Sequence, residues 1–163
     1  MKKIGSAVIA LLISFMTWAS DEITGKVISV IDGNTLEVIA EDNETYKILL
    51  HGIDCPELEQ EYGVKAKQLL EKLVLEKNVQ VIIQGKDRWG NRLGVILVNG
   101  KTDPRFDLLK EGLAWTSEKN PNEELEAVKE KARESSIGLW KEEDPTPPWI
   151  FRRQQTMTQF KSS

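Results

Sequence analysis

From Ile23 onward apolar and polar residues alternate with a period of two, and no other feature of the chain narrows its fold as much. Ile23, Gly25, Val27, Ser29 and Ile31 fall on one side of the repeat, with Thr24, Lys26, Ile28 and Val30 on the other, as in a half-buried strand. Asp32-Gly33-Asn34 supplies a turn, and Thr35 to Ala40 reads as a second strand. After a further turn at Asp42-Asn43-Glu44, Thr45 to Gly52 is a third strand with Ile48 and Leu50 on one face. These three form a meander. Between Tyr62 and Leu75 the spacing changes, and Ala66, Leu69, Leu70, Leu73 and Val74 predict a helix packed over the strands.

Asn78 to Gln84 and Arg92 to Val98 read as two more strands, joined by a turn containing Trp89-Gly90-Asn91. The resulting class is mainly β with helices: a five-stranded OB-fold barrel flanked by about three α-helices. The other two helices are expected around Phe106 to Glu111, stopped by Gly112, and from Asn122 to about Ser135. Pro145-Thr146-Pro147-Pro148 cannot continue a helix, and the polar stretch from Arg152 to Ser163 is expected to be a mobile tail.

The chain of 163 residues suits one domain, spanning residues 23–151. Residues 1–19 read as a signal peptide: Met1-Lys2-Lys3 is a basic start, Ile4 to Trp18 is uncharged, and Thr17 and Ala19 flank a cleavage point before Ser20. The expected location is therefore secreted or periplasmic, with no transmembrane segment after signal removal. Lys and Arg total 22 against 26 Asp and Glu, and removing the leader deletes two lysines and no acid. Such an acidic protein lacks the global field that steers proteins to nucleic acid, so polyanion binding would require a local patch. Cys55 is the only cysteine, which excludes an intramolecular disulfide.

Six strings occur in order along the chain: Val30-Ile31-Asp32-Gly33-Asn34-Thr35-Leu36, Gly52-Ile53-Asp54-Cys55-Pro56-Glu57, Tyr62-Gly63 with Ala66, Asp87-Arg88-Trp89-Gly90, Gly112-Leu113-Ala114-Trp115 and Gly138-Leu139-Trp140. Each is weak alone. Together, over residues 23–151, they resemble the thermonuclease-like (staphylococcal-nuclease-like) family. The resemblance implies an OB-like barrel bearing a calcium-dependent phosphodiesterase site, although fold does not carry activity with it. In that family a carboxylate activates water, two arginines bind the scissile phosphate, and aspartates hold calcium.

Carried over by position, the general base falls on Glu57 and the main metal aspartate on Asp54. The second metal aspartate has become Asn34, whose carbonyl offers a dipole in place of a charge, so calcium binding is expected to be weak. Cys55 occupies a position that contributes only its backbone carbonyl, and Asp32 keeps a carboxylate nearby. Both arginine positions depart from the family pattern, being Leu49 and Asn91. Leucine cannot donate a hydrogen bond, and asparagine presents a neutral amide where a charged planar fork is needed.

Replacement cations are available but displaced. Lys47, Leu49 and His51 share one strand face in steps of about 6.5 to 7 Å, while Arg88 and Arg92 flank the turn near Asn91. The competing reading makes all four solvated surface residues beside a decayed site. His51 is either an acid or base near neutral pH or a surface strand histidine, and Cys55 either a redox-sensitive thiol or a small buried residue. Trp115, Trp140 and Trp149 suit base stacking or, given the glycine-marked boundaries, helix-to-barrel packing. Glu59 and Glu61 read as solvated loop. Two functions follow. One is a binding module, in effect a pseudoenzyme, for a protein partner, a sugar polymer or, against its acidic charge, nucleic acid; the other is a phosphodiesterase cleaving DNA or RNA with Glu57 as base and displaced basic residues as substitutes.

Overall fold

A computed structural model describes residues 21–161 apart from Asn120; the leader expected at residues 1–19 and the end of the chain at residues 162–163 lie outside the described residues. Five strands close a barrel in the order β1 (Glu22–Asp32), β2 (Thr35–Ala40), β3 (Thr45–Leu50), β6 (Arg92–Val98), β5 (Asn78–Lys86). All neighbours are antiparallel except β3 and β6, which pair in parallel through Ile48↔Arg92, Leu49↔Leu93 and Leu50↔Gly94. Alternate residues of each strand point inward, so that Leu36, Val38, Ile48, Val81 and Ile96 have no exposed surface. α1 (Gly63–Val74) packs on β1 and buries Ala66, Leu70 and Val74 completely.

Strict alternation fails in β1. Val27 and Val30 are both buried although they are three residues apart, because the register against β2 shifts between Val27 and Ser29 and again between Val30 and Asp32. Such bulges bend the strand and re-aim its side chains around the barrel wall. The third strand expected through Gly52 also divides. It breaks at Gly52, which adopts φ +83°, and resumes as β4 (Ile53–Asp54), which pairs with β7 (Trp115–Thr116) in a separate two-stranded sheet.

α2 (Pro104–Lys110) begins earlier than Phe106 because Asp103 caps it, its side chain accepting from the Arg105 N–H. α3 (Glu123–Glu134) is capped in the same way by Asn122. A 3-10 turn at Gly138–Lys141 follows. The largest departure lies at the end: the segment expected as a mobile tail from Arg152 is part of α4 (Pro148–Lys161). The prolines stop a helix arriving from upstream, but Pro148 opens a new one, where its missing N–H costs nothing and its fixed φ is helical. The described residues thus hold four α-helices rather than about three, and none is long and apolar enough to cross a membrane.

Candidate active site

The turn between β1 and β2 and the exit from β4 are tied together. The Asn34 N–H donates to Asp32 Oδ1 at 2.9 Å, the Asn34 side-chain oxygen accepts from the Cys55 N–H at 3.1 Å, and Cys55 Sγ donates to the Gly33 carbonyl at 3.2 Å. Gly33 permits this closeness, since a Cβ there would lie 2.7 Å from the Cβ atoms of both Ala66 and Cys55. The Leu50 N–H donates to the Asn34 carbonyl, fixing the turn to β3 as well. Asp32, Asn34, Asp54 and Cys55 are thereby gathered at one edge of the barrel.

Glu57 follows in a loop that its own backbone organises. Its N–H donates to Gln60 Oε1 and its carbonyl accepts from the Gln60 N–H, both at 2.9 Å. The first residue of α1 rests against this loop: a Cβ on Gly63 would stand 1.8 Å from the Glu57 oxygen. Glu57 is half-buried, whereas Glu59 and Glu61 are exposed, as expected of solvated loop.

The cation that meets these carboxylates is none of those expected. Arg152, in the second turn of α4, places Nη1 2.6 Å from Glu57 Oε1 and 3.2 Å from Asp54 Oδ1, with Nη2 2.8 Å from Asp54 Oδ2. Burial raises the Asp54 carboxyl above the ordinary value, against the opposing hydrogen bond and charge of Arg152 and with a further upward push from the charge of Asp32. Arg152 is itself held protonated, chiefly by its bond to Asp54. Arg152 stands 98 residues from Asp54 and 95 from Glu57. No motif spacing could have linked them, and its signal in the sequence, an arginine shortly after Pro148-Trp149, was masked by the polar composition around it.

The four expected substitutes sit elsewhere. Lys47 is exposed on the outer face of β3 opposite Glu37. Arg92 stacks over the Tyr46 ring at 4.3 Å, and Tyr46 in turn donates to Asp42. Arg88 covers the Trp89 ring at 4.1 Å at the exposed end of the β5–β6 hairpin. His51 is half-buried and its pKa is lowered, first by burial and then by the charge of Arg105, both of which disfavour the charged form that a phosphate would need. Arg105 is buried, ion-paired with Asp103 at 2.6 Å, and donates to the His51 carbonyl at 2.7 Å. It was missed in the sequence because nothing distinguishes a buried, paired arginine from a surface one there.

At the two positions where the resemblance expects arginine, the side chains make other contacts. Leu49 lies partly buried between Thr35 of β2 and Leu93 of β6. Asn91 donates its side-chain amide to Asp87 Oδ2 at 2.8 Å and its N–H to Oδ1, closing the hairpin turn. Cys55 is buried, and burial pushes its thiol pKa well up, with the charges of Asp54, Asp32 and Glu57 acting in the same direction; it is an inert packing residue. The tryptophans pack: Trp115 meets Trp140 edge-on at 4.6 Å and Trp149 at 5.6 Å.

Among the described residues no group of three or more His, Cys, Asp and Glu side chains is placed to hold a metal. The oxygen donors that are gathered, the carboxylates of Asp32 and Asp54 with the neutral oxygens of Asn34 and Cys55, nonetheless suit a hard cation such as calcium.

Comparison with known proteins gives a consistent identity. Residues 47–142 match the family model described as staphylococcal nuclease homologue. An uncharacterized endonuclease of Escherichia coli O157:H7 is 34% identical over 135 residues, covering 82% of this chain and 88% of that protein. A similarly described protein of Haemophilus influenzae is 34% identical over 133 residues, covering 81% of this chain and 74% of the relative. A micrococcal nuclease of Shigella flexneri is 30% identical over 159 residues, covering 91% and 90%. Taken with the closed five-stranded barrel, these matches show that the chain belongs to the family of staphylococcal nuclease homologues.

Proposed function

We propose that this chain is a nuclease homologue whose phosphodiesterase chemistry is impaired and whose barrel surface acts as a binding module. One observation carries the reading: Leu49 and Asn91 stand where the family's arginines are expected, and each is engaged in packing or hydrogen bonds that leave no phosphate clamp. Phosphoryl transfer depends on positioning and on charge stabilisation of the transition state. Valuing each lost donor as about 3 to 4 kcal/mol gives a deficit of roughly 10^4- to 10^6-fold in rate.

In this reading Glu57 would be the base, and Asp54, Asp32, Asn34 and the Cys55 carbonyl would hold calcium, which supplies charge neutralisation when bound. Asp54 and Glu57 are oriented by the β4–β7 pairing and by the Gln60 loop. A second reading, an active endonuclease, draws on that same arrangement, since Asp54 and Glu57 remain close enough to share one cation.

The test measures calcium-dependent hydrolysis of single-stranded DNA by the natural chain and by Glu57→Gln, alongside anisotropy of a labelled oligonucleotide. Turnover near background in both is expected. Rapid turnover in the natural chain that Glu57→Gln abolishes would instead establish the endonuclease.

A further inference from the structure

α4 is packed at its start and exposed through its middle. Pro148 is buried, Trp149 packs edge-on against Trp115, and Gln60 donates to the Thr146 carbonyl at 2.9 Å just before the helix. From Arg152 to Thr158 the residues are exposed. The anchor and the site share one structural element, because Trp115 of β7 is the register partner of Asp54 in β4. Once the first turn of α4 is seated, Arg152 reaches the carboxylates directly.

We propose that α4 is a strap whose Arg152 acts as a built-in cation, so that Arg152 and a divalent metal ion occupy the Asp54 carboxylate in alternation. This rests on the reading of Asp54 as a metal ligand. The guanidinium uses both Asp54 oxygens and reaches Glu57 with the same Nη1, the bidentate arrangement that makes arginine–carboxylate pairs strong. A calcium ion ligated by one or both Asp54 oxygens at about 2.3 to 2.6 Å would stand directly beside the guanidinium, and the two positive charges repel. Solvent and ions reach the contact, since the Arg152 side chain is 48% exposed and those of Asp54 and Glu57 are 23% and 32% exposed. In the strap, metal binding displaces Arg152 from Asp54, and with that tie gone the exposed part of α4 loosens.

The experiment compares calcium binding by calorimetry in the full chain and in Arg152→Gln, with Arg152→Lys as the variant that keeps the charge but not the fork. Arg152→Gln is expected to bind calcium about tenfold more tightly, the effect of removing one competing charge-assisted pair, with Arg152→Lys between the two. Hydrogen exchange across α4 in the natural chain is expected to rise when calcium is added and to be insensitive to calcium in Arg152→Gln. Circular dichroism of each variant verifies that the barrel is folded. Equal calcium affinity in all three folded proteins, with unchanged exchange in α4, would overturn the strap while leaving Asp54 a metal ligand. No calcium binding in any of them would overturn the metal site at Asp54 and the competition with it.

Discussion

Asn91 and Leu49 are engaged in the scaffold in different ways, and the engagement is measurable at Asn91. Its amide and N–H both donate to Asp87, and the side-chain bond from Asn91 is the main reason the Asp87 carboxyl lies below the ordinary aspartate value. A depressed folded pKa stabilises the fold above the unfolded value and loses that contribution as pH falls through the folded one. The Asp87 carboxyl should accordingly titrate below an ordinary aspartate when followed by NMR, and Asn91→Ala should move it upward. An ordinary midpoint in the natural chain would mean that the hairpin contact is not maintained in solution. Leu49 offers no such handle, because it is a partly buried apolar residue of β3 with no titratable partner in its register pairs.

Among the elements, α1 positions the site through a single glycine. Gly63 lies directly against the Glu57 backbone, so Gly63→Ala must push the two apart, and a loss of about 1 to 3 kcal/mol in denaturant-monitored stability is expected. No change in stability would show that the loop yields freely and that Glu57 is not held by α1. The five barrel strands and the first three helices were legible in the sequence because each carries a local periodicity or a cap within its own residues. Three features were not. The β1 bulges depend on how Val27 and Val30 must both reach the core, the parallel closure of β3 on β6 is a long-range pairing, and α4 has mixed composition behind a proline cluster. At the site, Asp32, Asn34, Asp54, Cys55 and Glu57 were legible because they lie in two short strings, whereas Arg152 meets them only through the folded chain.

For the molecule as a whole, the closed barrel is that of the family, and in the reading proposed above the phosphate-binding charges are missing at Leu49 and Asn91, which pack in β3 and close the hairpin turn. The acidic balance of 26 against 22 agrees with a surface not built to attract nucleic acid at long range. If the deficit is confined to the clamp and the lost metal charge, restoring them should restore chemistry. The decisive measurement is calcium-dependent cleavage of single-stranded DNA by Asn34→Asp/Leu49→Arg/Asn91→Arg, with Glu57→Gln added to the triple variant as a control. A rise of at least about 10^2-fold over the natural chain is expected, a fraction of the full deficit because Asn91→Arg also removes the Asp87 contact, and that gain should be lost with Glu57→Gln. A triple variant no faster than the natural chain, with its fold intact, would contradict the claim that the missing arginines are what limits this site.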